Sequence, residues 1–213
     1  MQLEAGAKGI TVAKVGEAEV MAENGMDNIF IANEIVGDIK LNRIKALNRN
    51  IDISFGIDCI PHVKDIERVF EGQEKKAHVL IEIEIGENRS GIIEEEDFIS
   101  LVNYIKGCKN VNLKGIFSHE GHSYSASDLD DLKRIFDEGQ IRTLKFASLA
   151  KELGIDLEVV SIGATPTSIH NLSIMEGITE IRPGTYILMD VAQGNALGTY
   201  DRCAASVLST VIS

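Results

Sequence analysis

The chain has 213 residues, 44% of them hydrophobic and 25% charged, the composition of a globular protein long enough to bury one full core. Twenty-one basic residues stand against 33 acidic ones, and the net charge of -12 opposes association with nucleic acid or an anionic membrane surface. No apolar run approaches the roughly 20 residues of a membrane span, and the opening Met1-Gln2-Leu3-Glu4-Ala5-Gly6 lacks the basic-then-apolar order of a signal peptide.

In chain order, short apolar runs alternate with amphipathic stretches. Residues 2–7 read as the last turn of a helix. Strands are expected at 9–13, 28–32, 52–56, 79–85, 113–118, 158–162, 179–181 and 186–189. Helices are expected between them at 16–24, 36–48, 61–71, 94–106, 126–153 and 167–176. Ser127, followed by Asp128, Asp130 and Asp131, reads as a helix start. Gly25, Gly107 and Gly154 stand where left-handed C-caps are wanted. The β-branched run at 204–212 reads as one more strand. Cys59, Cys108 and Cys203 form no CxxC pair, so neither a disulfide framework nor a zinc site is expected, and a reducing cytoplasm fits.

Strand–helix alternation means parallel strands with helices outside. A doubly wound open sheet usually places a glycine-rich loop after its first strand, and no GxGxxG follows residues 9–13. The expected fold is therefore an α/β (β/α)8 TIM-type barrel. The repeat count gives about seven strands, with none before the opening helical turn, so the barrel lacks its first strand. Residues 1–202 are expected to form this barrel and 203–213 to begin a C-terminal β domain. A barrel short of one strand exposes two edges, and a homodimer is expected to cover them.

In such a barrel the reactive groups stand where strands end. Asn33, Glu34, Asp58, Arg89, the stretch 119–124, Thr165 and the stretch 182–186 fall there. Two of these junctions are alike: Gly163-Ala164-Thr165-Pro166-Thr167 and Arg182-Pro183-Gly184-Thr185-Tyr186. Glycine admits close backbone approach, and successive N–H groups with threonine hydroxyls form a nest for phosphate oxygens. Side by side, they suggest one clamp for a phosphorylated cofactor. His119 and His122 have HxxH spacing but no carboxylate or thiolate partner, an incomplete metal site.

Read in order, the strand ends resemble a known family. The segment from Gly9 to Glu19, Gly115-Ile116-Phe117-Ser118-His119-Glu120-Gly121-His122-Ser123-Tyr124, the two clamp loops, and Cys203 through Ser213 are similar to the pyridoxal-phosphate enzymes with the alanine-racemase barrel. The nearest branch is that of D-threonine aldolase and D-serine dehydratase. The resemblance implies pyridoxal 5'-phosphate bound by Arg89, His119, Tyr124, Gly163, Ala164, Thr165, Arg182, Gly184, Thr185 and Tyr186. Arg89 would donate to the phenolate oxygen and His119 would stand against the ring. Tyr124 or Arg182 would face the pyridine nitrogen, and the sequence leaves both open.

The family's Schiff-base lysine belongs to the first barrel strand, upstream of Gln2, and neither Lys8 nor Lys14 occupies its position. No catalytic residue is therefore assigned in this chain. The family's divalent metal ligands belong to the C-terminal domain, so no metal site is assigned either. The implied activity is a lyase acting on a small D-β-hydroxy amino acid, with this chain an inactive part of it. The alternatives are an alanine-racemase-like racemase and a non-catalytic, cofactor-binding or structural barrel fragment.

Overall fold

The protein is described by a computed structural model covering residues 2–212; Met1 and Ser213, the outermost residues of the two expected units, lie outside the described residues. The apolar runs form seven strands: β1 (Ile10–Val12), β2 (Asn28–Glu34), β3 (Asp52–Ile57), β4 (Ala77–Ile83), β5 (Val111–Ser118), β6 (Val159–Ile162) and β7 (Glu180–Ile181). All pair in parallel, and spatial order equals chain order. The crossovers are α1 (Val15–Glu23), α2 (Asp38–Asn48), α3 (Ile60–Val69), α4 (Glu95–Lys106), α5 (Leu129–Glu152) and the short α6 (Thr165–Ile169); α7 (Val191–Leu197) follows β7.

Parallel strands are buried on both faces, and the side chains divide accordingly. Ile29, Ile31, Ile53, Phe55, Ile57, Val79, Ile81 and Ile83 join the main core with helix residues such as Leu41, Ile44, Val63, Ile66, Phe98 and Phe146. The intervening Phe30, Leu80 and Phe117 form a second cluster on the inner face. Phe30 on β2 meets Phe117 on β5 edge to face, with ring centroids 5.0 Å apart. Two strands lie between them, so in a flat sheet the separation would be about 14 Å. The sheet is therefore curled, with helices outside, as expected of a barrel lacking one strand. β1 and β7 do not pair with each other, which leaves a seam. Gln2 crosses it, donating from Nε2 to the Tyr186 hydroxyl at 2.8 Å.

Several local expectations are corrected. Residues 186–189 are not a strand: Thr185–Ile187 is a 3-10 turn, and Ile187 and Leu188 are exposed with no strand beside them to pair. Residues 204–212 form no strand either, since Val207, Leu208, Val211 and Ile212 meet no partner and stand in solvent. The helix expected at 167–176 spans only Thr165–Ile169, because Asn171 turns to φ 51°. Gly107 caps α4 with φ -83°, so it is not left-handed, whereas Gly25 and Gly154 are. Asp128, not Ser127, is the N-cap of α5 and accepts the Asp131 N–H at 2.8 Å.

The Phe98–Phe146 contact joins α4 to α5, with ring centroids 5.1 Å apart and both side chains buried. Phe98→Ala is expected to lower the unfolding free energy by about 3–5 kcal/mol in urea titration. A loss below about 1 kcal/mol would mean that this core collapses around the gap.

Candidate functional site

The loops after β6 and β7 meet at the C-terminal ends of their strands. The Arg182 N–H donates to the Ile162 carbonyl at 2.9 Å, and the Gly184 N–H donates to Thr165 Oγ1 at 3.2 Å. A Cβ on Gly163 would lie 2.5 Å from the Arg182 nitrogen, so close approach requires glycine there. The Tyr124 hydroxyl, from the 3-10 turn Gly121–Ser125 after β5, joins both loops. It lies 3.2 Å from Thr185 Oγ1 and accepts the Thr165 N–H at 3.4 Å. The two expected clamp segments are thus bonded to each other.

Arg182 is the most heavily engaged side chain at this junction. It donates to Ser161 Oγ on β6 and, at 2.5 Å, to the Ser118 carbonyl on β5. Its guanidinium also lies over the rings of Phe117 and Phe30, at 5.5 and 5.8 Å. Burial lowers its pKa from the ordinary arginine value, while Glu180, Glu120 and Glu82 act in the opposite sense. It stays a cation.

His119 Nδ1 lies 2.6 Å from the Gly163 carbonyl. A carbonyl only accepts, so Nδ1 carries a proton; in the neutral ring that leaves the lone pair on Nε2. Arg89, in the loop after β4, sits 3.2 Å from Glu87 and 3.7 Å from Glu82. A cavity of about 850 Å³ runs along the seam between β1 and β7, with Ile10, Val12, Arg89, His119, Arg182 and Tyr186 on its walls. Gly163 and Gly184 also line it; Tyr124, Ala164, Thr165 and Thr185 do not. Among the described residues no lysine lines this cavity. Lys8 and Lys14 are both exposed.

Glu120 falls in the stretch 119–124 singled out from the sequence, which assigned it no role. It is 1% exposed; its carboxylate accepts the Gly163 N–H at 3.2 Å and the Thr167 hydroxyl at 3.0 Å. The convergent donors expected for phosphate at Gly163 and Gly184 are therefore committed, one to Glu120 and one to Thr165. The available signal was an acid immediately after His119 at a strand end. Space around Gly184 is open, with no heavy atom within 4 Å of where a Cβ would stand.

The sequence matches the family described as alanine racemase, N-terminal domain, over residues 1–191. The chain belongs to that family. It is 27% identical over 213 residues to D-threo-3-hydroxyaspartate dehydratase of Delftia sp. (strain HT23), covering 99% of this chain and 56% of that one. It is 29% identical over 225 residues to D-serine dehydratase of Dictyostelium discoideum, covering 97% and 55%. The structure of D-threonine aldolase from Filomicrobium marinum superposes with a TM-score of 0.83 at 26% identity, covering 92% of this chain and 52% of that one. The chain spans about half the length of the curated relatives it matches. No helix among the described residues is long and apolar enough to cross a membrane.

One further acid titrates near neutrality. Burial, helped by Glu82, pushes the Glu34 carboxyl at the end of β2 up to about 8 from 4.5. Its Oε1 is buried with no hydrogen-bond partner. The unfolded chain ionises this group near 4.5 and the folded chain only near 8, so unfolding releases a proton within that window. The stabilising neutral form is fully present below about 4.5 and its contribution is lost as pH rises to about 8. Glu34→Gln is expected to flatten the fall in urea midpoint across this range; an unchanged slope would assign it to another group.

Proposed function

We propose that this chain is the cofactor-binding barrel of a pyridoxal-phosphate lyase acting on D-β-hydroxy amino acids. The reaction is Cα–Cβ cleavage to glycine and an aldehyde, or elimination of water across Cα and Cβ. The carrying observation is the seam cavity, where Arg89, His119 and Arg182 face one space beside the joined loops of β6 and β7. The names of the relatives support the substrate class: D-threonine, D-serine and D-threo-3-hydroxyaspartate each carry a hydroxyl on Cβ.

The residues fit the cofactor. The cavity offers two guanidinium groups and open space beside Gly184, suited to an anionic, planar ligand. Bound there, pyridoxal phosphate supplies an electron sink for the substrate Cα. Arg182 lines the cavity whereas the Tyr124 hydroxyl is held between Thr165 and Thr185, which supports Arg182 as the partner of the ring nitrogen. A guanidinium only donates, so with Arg182 there the ring nitrogen would stay unprotonated and the ring would be a weaker sink than with a carboxylate partner. Arg89, held in place by Glu82 and Glu87, would donate to the phenolate oxygen of the bound cofactor. His119 Nε2 presents a lone pair able to take a substrate proton, while its Nδ1–H stays on Gly163. Gly163, Gly184 and Tyr186 would line the phosphate end, with Ala164, Thr165, Thr185 and Tyr124 bracing those loops from behind.

We assign the cofactor-linking lysine to a strand that closes the seam, and the divalent metal of the resembling branch to a C-terminal β domain. A homodimer covers the open edges. Three free thiols are consistent with a reducing cytoplasm.

In equilibrium dialysis this chain is expected to bind pyridoxal 5'-phosphate reversibly, in competition with inorganic phosphate. Arg182→Gln weakens binding by about tenfold or more, the loss of a charge-assisted hydrogen bond. Borohydride traps no lysine adduct, and D-threonine and D-serine turn over only at the cofactor-only background. A polypeptide that also carries the lysine-bearing strand releases glycine, or ammonia with a 2-oxo acid, from the D-isomers. An adduct on Lys8 or Lys14, or formation of the L-enantiomer, would overturn the reading.

A further inference from the structure

Where β3 ends and α3 begins, Asp58, Cys59 and His62 bring their ligand atoms close together. One carboxylate oxygen, the thiol sulfur and one ring nitrogen all lie within 4.8 Å of one another. Asp58 Oδ1 and His62 Nδ1 are 3.2 Å apart, close to the edge of about 3.4 Å that two ligands span around a tetrahedral zinc at bond lengths of about 2.1 Å. His62 Nδ1 is buried and lacks a hydrogen bond of good alignment to any group. None of the three residues lines the seam cavity.

We propose that Asp58, Cys59 and His62 form a binding site for a borderline divalent cation of the zinc type, with an open fourth position for water. The donor set is one thiolate, one imidazole and one carboxylate, a combination that favours zinc-like ions over magnesium or calcium. Backbone geometry presents it: Cys59 is the extended N-cap residue of α3, Asp58 precedes it, and His62 comes one turn along the helix. Apart from the metal, the neighbourhood disfavours a thiolate. Burial raises the Cys59 pKa and the nearby charge of Asp58 adds to that. A bound dication offsets this negative charge; the Sγ–metal bond forms as the thiol proton leaves to solvent. The separation Asp58-Cys59-x-x-His62 matches no CxxC pattern, which is why the sequence led to an expectation of no metal site.

This inference does not rest on the proposed lyase activity, and its test needs no cofactor. Chelator-treated protein is titrated with Zn2+, and with Co2+ as a spectroscopic probe. The expected result is one equivalent bound per chain, with a thiolate-to-cobalt charge-transfer band in the near ultraviolet. Cys59→Ser abolishes that band and weakens binding by at least about tenfold. His62→Gln weakens binding similarly with the band retained, while Cys108→Ser and Cys203→Ser behave as the parent. Far-ultraviolet circular dichroism checks that each variant folds; should Cys59→Ser misfold, His62→Gln decides. No stoichiometric uptake by the parent protein would overturn the proposal. So would a band that survives Cys59→Ser or vanishes in Cys108→Ser or Cys203→Ser, or parent affinity in His62→Gln.

Discussion

The site depends on how one guanidinium is held. Arg182 ties together the ends of three strands: it leaves β7, donates to the Ser161 side chain on β6, and donates to the backbone carbonyl of Ser118 on β5. Phe30 and Phe117 pack against its face from within the curled sheet. An arginine in such a position would be costly if unpaired, because an enclosed charge loses its hydration. Ser161, Ser118 and the surrounding carboxylates provide the compensation, and the strand ends are fixed in register as a consequence. The loops that follow inherit that placement. Gly163 packs against the Arg182 backbone, Gly184 reaches Thr165, and Tyr124 spans the junction.

The inner face is acidic as well as aromatic. Glu82 and Glu120 are buried, Glu34 is half-buried, and Glu180 bonds to Ser161. Arg182 and Arg89 are the cations set against them. Two properties follow. Burial, helped by the neighbouring Glu82, holds one carboxyl, Glu34, neutral into the physiological range, and the two arginines put positive charge on the cavity wall. The same seam that opens the cavity also leaves β1 and β7 without outer partners. Access to the site and the unpaired edges of the sheet thus share one structural cause.

Much of this was legible in the sequence wherever burial wrote a pattern. Seven of the eight strand spans expected before residue 190 formed, because parallel strands packed on both faces appear as apolar runs, and their order followed from alternation with amphipathic helices. The pairing of the two clamp loops was legible from two glycines at successive strand ends. Where burial did not set the pattern, propensity misled. Tyr186, Ile187 and Leu188 look like strand residues, yet they lie exposed beside the seam, the first two in a 3-10 turn and Leu188 just after it. Helix α7 was missed because Val191–Leu197 carries a glycine and little periodicity; its signal was Asp190, which caps it by accepting the Gln193 N–H, with Gly198 left-handed beyond its end. The role of Glu120 was hidden for a different reason. Its place after His119 at a strand end marked it as a candidate acid, but nothing in the sequence showed that its carboxylate folds back to take the Gly163 N–H.

The central claim is that the loops after β6 and β7, fixed by Arg182, form one anion-binding wall. Amide chemical-shift mapping by NMR, with pyridoxal 5'-phosphate and then inorganic phosphate added to isotope-labelled protein, tests it most directly. The account predicts that both ligands shift one connected set of amides, Gly163 to Thr165 together with Gly184 to Tyr186. Shifts confined to one loop, or centred on Asp52, Lys75 and His78 around the separate cavity they line, would contradict it.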